Sequence, residues 1–230
     1  MGDTDQHRLH ASIRRFPMFE GLTGAQLDFV AEGVRVLCAG RGDLVCHSHK
    51  DAGGFYGLLD GRLKLALLSR GGREHVFDIL QPGMSFGDYT VRLQAPCPLY
   101  VEALTKSEVL YLSREQMLAA IRHWPQLGLS LVDTLTGHLH RVLGNLATCC
   151  LQSAAQRVAH YLLAHAGARC SGRGATVTLP VGKAVVACSL DLTPETFSRE
   201  LHQLEKDGLL MVSRRTIHIF DLDKLYETAF

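Results

Sequence analysis

The sequence predicts an α+β chain in three parts: an N-terminal β-roll, a long helix, and a C-terminal winged helix-turn-helix. Three observations carry that expectation. Between residues 36 and 112, short apolar runs alternate with glycine-rich turn signals, the texture of a barrel or roll built from many short strands. Between 127 and 150 there is no proline, and apolar residues recur at steps of three and four. From 181 onward a helix, a tight turn, a second helix and a hairpin follow one another. The expected boundaries are 1–125 for the roll with its leading helices, 126–152 for the long helix, and 153–230 for the winged unit.

In chain order, residues 9–35 read as helical around a turn at Gly21-Leu22-Thr23-Gly24, with Thr23 as the cap of the second helix. Strand-like runs follow at 34–38, 44–47, 54–59, 62–68, 74–80, 99–103 and 109–112. They are separated by Gly40-Arg41-Gly42-Asp43, Asp60-Gly61, Arg70-Gly71-Gly72 and Pro82-Gly83. Helical periodicity returns over 113–124. In the long helix, Val132, Leu135, Leu139, Val142, Leu146 and Cys149 form a narrow heptad seam flanked by Asp133, His138, His140, Arg141 and Asn145. A helix lying on its own domain shows a broader stripe, so the narrow seam favours a parallel homodimer. A helix from 154 ends at Gly167, an extended run covers 176–180, and 181–190 is helical. Strands at 209–212 and 216–220 then bracket Ser213-Arg214-Arg215.

The helix at 193–205 carries the chemistry. Thr193 suits the N-cap and Pro194 the first helical position. Phe197, Leu201 and Leu204 share a core-facing side, which leaves Glu195, Ser198, Arg199 and His202 outward. A carboxylate, a hydroxyl and a guanidinium on one exposed face match the donors and acceptors of base edges in a major groove. Taken alone, the pattern also fits an ordinary amphipathic surface helix; the flanking turn helix and the two arginines at the hairpin tip favour DNA binding.

Composition bounds the rest. The chain has 230 residues, 47% of them hydrophobic, and a net charge of +1, so any affinity for nucleic acid rests on local placement of charge. The seven cysteines are odd in number and form no Cys-x-x-Cys pair, which points to reduced thiols and a cytoplasmic setting. No signal peptide or membrane-length apolar run is expected. No catalytic triad context, phosphate-cradling glycine loop or metal-ligand spacing stands out, which argues against an enzyme.

The order of parts resembles the Crp/Fnr superfamily of bacterial transcription regulators over essentially the whole chain. The likeness rests on Gly42-Asp43-Leu44-Val45, on the run from Phe55 to Leu65, and on Leu80-Gln81-Pro82-Gly83-Met84-Ser85-Phe86-Gly87-Asp88. It also rests on the heptad helix and on Pro194-Glu195-Thr196-Phe197-Ser198-Arg199-Glu200-Leu201. The resemblance implies a cyclic-nucleotide-binding-like roll, a homodimer, a palindromic DNA site, RNA polymerase as a partner, and no membrane. It is similar to the Fnr-type readers, which prefer a TTGAT half-site. Arg199 would then bind guanine, Glu195 cytosine and Ser198 thymine, while Thr193, Thr196, His202, Arg214 and Arg215 meet the backbone. Crp-type readers place arginine immediately before the glutamate; here that position is Pro194, which disfavours TGTGA. Asp191 stands in the turn where the family usually has glycine, and Asp tolerates a left-handed conformation.

The family's cyclic AMP pocket pairs Phe-Gly-Glu with a later Arg-Ser. Here the expected effector pocket is Phe86, Gly87, Asp88 and Cys97, with Asp88 one methylene short and Cys97-Pro98 in the Arg-Ser places. The cyclic phosphate would go unneutralised, so cyclic AMP is not expected. Cys38 and Cys46 alone do not supply the four-cysteine iron–sulfur set of Fnr. The chain also resembles the nitric-oxide-responsive Dnr-like branch, which uses haem; His47, His49 and His75 are the candidate ligands. A ligand-binding regulator or thiol redox sensor of the same fold, or a true cyclic-nucleotide-responsive regulator, remain the alternatives.

Overall fold

The computed structural model describes residues 3–46, 53–68, 74–93, 99–166 and 174–229. It divides into two compact units, Met1–Arg141 and Val142–Phe230, and the division falls inside the long helix.

The first unit opens with α1 (Asp3–Ile13), a 3-10 turn at Pro17–Phe19 and α2 (Gly24–Ala31). The helical stretch expected over 9–35 is thus interrupted. Pro17 forces Phe16 into an extended conformation (φ −101, ψ 125), and Val34 already belongs to a strand. Thr23 caps α2 as expected, in a capping box whose other half is Gln26: its Oε1 accepts from the Thr23 backbone N–H at 2.8 Å.

Two antiparallel four-stranded sheets follow. One has the order β1 (Val34–Ala39), β8 (Ser107–Ser113), β3 (Gly54–Asp60), β6 (Ser85–Phe86). The other runs β2 (Leu44–Cys46), β7 (Tyr100–Ala103), β4 (Leu63–Leu68), β5 (Glu74–Leu80). Side chains from both sheets, among them Leu58, Leu63, Leu80, Phe86, Val101 and Val109, meet in the roll's core. Strands β3 and β8 are covered on both faces, so β3 reads as an unbroken buried run. Their outward residues Phe55, Leu110 and Leu112 pack under Ile13, Phe16, Phe19, Leu27 and Val30. Phe16 and Phe19 meet Phe55 edge-on, with ring centroids 5.4 and 5.1 Å away. A side chain at Gly57 would run into the Phe16 ring, so this strand position needs glycine.

One polar device in the roll has no sequence signal. Lys64 is buried on β4, with its ammonium 2.7 Å from both Glu74 and Glu102 and over the Tyr100 ring. Burial opposes the lysine's charge, but the hydrogen bonds to Glu102 and Glu74 outweigh it, so its pKa lies above the ordinary lysine range. Burial in turn pushes the Tyr100 phenol up to about 12.

A short helix, α3 (Thr90–Leu93), leads out of the β6 turn. Helix α4 (Arg114–His123) is capped by Ser113, which accepts from the Gln116 N–H. Then α5 runs without a break from Pro125 to Leu151.

In the second unit, α6 (Ala154–Ala164) starts at a Ser153/Gln156 capping box. The expected extended run becomes β9 (Ala175–Thr178), the third strand of a sheet ordered β10 (Leu210–Ser213), β11 (Thr216–Ile219), β9. Between them lie α7 (Lys183–Ser189) and α8 (Pro194–Lys206), and α9 (Leu222–Ala229) closes the chain. The sequence reading stopped at the hairpin and missed α9. Its start signal was present: Asp221 Oδ1 accepts from the Asp223 and Lys224 N–H groups.

Candidate nucleic-acid interface and effector side

Helix α8 begins as its sequence requires. Thr193 accepts from the Thr196 N–H at 3.2 Å, and Pro194 occupies the first turn. Phe197, Leu201 and Leu204 are buried, while Glu195, Ser198, Arg199 and His202 are exposed, so the outward face has the expected membership. The turn before it holds Asp191 at φ 54, the left-handed conformation that glycine adopts at no cost. That turn is fastened by a residue sequence reasoning missed. Arg157 of α6 donates to the Leu190 carbonyl at 2.8 Å and the Asp191 carbonyl at 3.2 Å.

The face is electrostatically prepared. Its own backbone N–H, and then the Thr193 hydroxyl, hold the Glu195 carboxyl below the usual glutamate range. Arg199 is 72% exposed, and its guanidinium donates through Nη2 to Glu200 Oε1 at 3.2 Å. Thr193 and Thr196, read as backbone contacts, share a 3.1 Å hydrogen bond, and His202 lies 3.7 Å from Glu205. Glu205 also accepts from the Val212 N–H at 3.1 Å, tying α8 to the hairpin. At the hairpin tip Arg214 is left-handed (φ 54) and exposed. Arg215 donates through Nη2 to the Leu179 carbonyl at 3.1 Å, so one of its donors is spent on β9's exit.

The long helix shows a different seam from the one read in the sequence. Val132, Leu139 and Leu146 are exposed and seven residues apart, as expected. Leu135, however, is half-buried against the first unit's core beside Leu127 and Leu131, and Val142 is half-buried too. The exposed companions are Leu129 and Leu143. The open stripe therefore runs Leu129, Val132, Thr136, Leu139, Leu143, Leu146, Cys150, with every member exposed. Both sets step by three and four; only burial distinguishes them. The Cys149 side chain lies outside the described residues.

On the effector side, Phe86 stacks on Tyr56 at 4.7 Å, and Gly87 (φ 81) lies so close to the Gly54 carbonyl that a Cβ would clash. Asp88 is 2% exposed, and its Oδ2 lies 3.1 Å from Nδ1 of His138 on α5. Its Oδ1 accepts from the Tyr89 N–H at 2.9 Å. Arg141, one turn further along α5, lies 3.4 Å from Asp78 on β5. Cys97, His47 and His49 lie outside the described residues, and His75 is exposed at the start of β5. A cavity of about 600 Å³ opens between α5 and the 3-10 turn; Phe86, Gly87 and Asp88 are not among its walls.

A winged helix-turn-helix unit with an exposed polar face on its second helix, and a long helix leading to it from a β-roll, define a DNA-binding transcription regulator. Comparison with known proteins agrees. The model of the Crp-like helix-turn-helix domain matches residues 156–228, and that of the cyclic nucleotide-binding domain matches 38–123. Together they match well over half of the chain, which belongs to the Crp/Fnr family of transcription regulators. It is 25% identical over 214 residues to the cyclic AMP receptor protein of Thermus thermophilus, covering 93% of this chain and 97% of that relative. It is 26% identical over 213 residues to the nitrogen fixation regulation protein FixK of Bradyrhizobium diazoefficiens, covering 91% and 88%. The structure of FixK2 from Bradyrhizobium japonicum superposes with a TM-score of 0.73 at 22% identity, covering 86% of this chain and 98% of that one, a likeness of fold. Among the described residues, no helix is long and apolar enough to cross a membrane.

Proposed function

We propose that this regulator acts in the cytoplasm as a homodimer on a TTGAT-like inverted repeat, with its DNA affinity set by an effector other than cyclic AMP. RNA polymerase is the downstream partner in this reading, and no enzymatic step is involved. The observation that carries it is the exposed Glu195, Ser198 and Arg199 face on a capped helix, with Arg214 at the neighbouring hairpin tip. A guanidinium fork matches the O6 and N7 acceptors of guanine, and an ionised carboxylate matches the amino group of cytosine. The exposed stripe on α5 supports self-pairing, which would present two such faces to the two half-sites.

Cyclic AMP is disfavoured on structural grounds. The carboxylate in the ribose-binding place, Asp88, is buried and engaged by His138. Of the histidines read for haem, His75 is exposed on β5, and His47 and His49 lie outside the described residues. The test is a titration of fluorescent duplexes carrying the intact TTGAT palindrome, a single half-site, or a scrambled sequence. Tight binding of the palindrome alone supports the reading; equal binding of all three at physiological salt refutes it.

A further inference from the structure

The cavity beside α5 joins two walls of unlike chemistry. On one side Phe16, Met18, Phe55 and Met84 present apolar surface. On the other, the helix offers Ser130, Thr134, Gly137, His138 and Arg141, with Asp133 at the rim. On the same helix Leu127 and Leu131 pack into the first unit's core, so small and polar side chains beside the void alternate with leucines. A Cβ on Gly137 would meet nothing within 4 Å. Gly137 and Asp133 are exposed, so the cleft is open to a small molecule, and an apolar wall facing a few polar groups is the usual make-up of a ligand site.

The donor and acceptor inventory states what would fit. The Ser130 hydroxyl donates to the Gln126 carbonyl at 3.3 Å, and the Thr134 hydroxyl donates to the Ser130 carbonyl at 2.9 Å. Their protons are spent along the helix, so both present lone pairs outward. The Arg141 guanidinium is already paired with Asp78, and His138 Nδ1 lies 3.1 Å from the buried Asp88 carboxylate. An anion would have to break one of those pairs and would meet the carboxylate of Asp133. We propose that this cavity is the effector site, and that it takes an uncharged, largely apolar molecule with a hydroxyl or N–H edge that donates to Thr134 and Ser130. This deepens the proposed function and rests on it only for the word effector. The walls belong to the 3-10 turn, to β3, to the turn before β6 and to α5, so an occupant touches the helix that carries the exposed stripe.

N-phenyl-1-naphthylamine, neutral and apolar with a single N–H, is the probe. Its fluorescence should rise saturably on titration with the full-length protein. Gly137→Leu, which fills the open space, should weaken binding about tenfold or more while leaving the melting temperature unchanged or raised. Thr134→Val, of the same shape but without the acceptor, should weaken it several-fold. The anionic relative 1-anilinonaphthalene-8-sulfonate should bind more weakly than the neutral probe. Probe affinity unaffected by either substitution would overturn the proposal, as would preferential binding of the anion. A Soret band on adding hemin, lost in Gly137→Leu, would overturn it in favour of a haem site. These readouts do not involve DNA, so they fail separately from the half-site titration.

Discussion

In the proposed reading Glu195 meets a cytosine amino group only while ionised, and its surroundings favour that form. Its own backbone N–H and the Thr193 hydroxyl hold its carboxyl below the ordinary value of 4.5. A depressed carboxyl contributes its interactions above the unfolded value and loses them as pH falls through the lower folded one. Preference for cytosine at the position Glu195 reads should therefore stay constant from about pH 8 down to about pH 5. Glu195→Gln should abolish that preference at every pH with the fold intact. Competition between duplexes differing at that base pair measures both, and a preference fading already near pH 6 would contradict the assignment. The membership of this face was legible in the sequence because helical periodicity alone separates Phe197, Leu201 and Leu204 from their neighbours. Arg199's capture by Glu200 was not, since a contact between adjacent residues leaves no periodic trace.

At the scale of elements, the turn between α7 and α8 is held by a residue over thirty positions away. Arg157 donates to two carbonyls of that turn, at Leu190 and Asp191. Removing a partly buried guanidinium that donates to two carbonyls costs about 1.5–3 kcal/mol. Arg157→Ala should lower the melting temperature by several degrees and weaken DNA binding with little change in base preference. A variant with wild-type stability would show that the turn holds without it. Asp191 itself was foreseen as tolerating the left-handed conformation, and it adopts φ 54. Arg157, like Lys64 between its two glutamates, was invisible because tertiary partners are set by topology and not by local pattern. The opposite failure occurred at 9–35, where helical periodicity was real but Pro17 and the pairing of β1 with β8 divided it.

For the whole molecule, the proposed homodimer would pair through one of two stripes of α5. The spacing rule is satisfied equally by the set containing Leu135 and Val142 and by the set containing Leu129 and Leu143. The register could not be read from the sequence because the roll's claim on one face of the helix was unknown. Burial separates the two sets: Leu135 is half-buried against the first unit's core, and Leu143 is exposed. Leu143→Asp should convert the protein to a monomer of unchanged secondary structure, seen as a later elution volume and a halved mass by light scattering. Leu135→Ala should cost about 2 kcal/mol of stability and leave the oligomeric state unchanged. The reverse pattern would restore the seam first read from the sequence.

The order of parts was legible from end to end because each has its own period: glycine-broken strands, an unbroken heptad helix, then helix, turn, helix and hairpin. The effector side was not, because a cavity is a relation between walls distant in sequence, here the turn at Phe16–Met18 and α5. The central claim is that α8 reads bases through Arg199, and fluorescence anisotropy on paired duplexes tests it most directly. Wild type and Arg199→Ala are titrated against a TTGAT palindrome and against the same palindrome with each guanine replaced by adenine. Wild type should discriminate the two, and Arg199→Ala should lose about 1–3 kcal/mol on the first duplex and no longer distinguish them. Equal binding of both proteins to the TTGAT palindrome would contradict it.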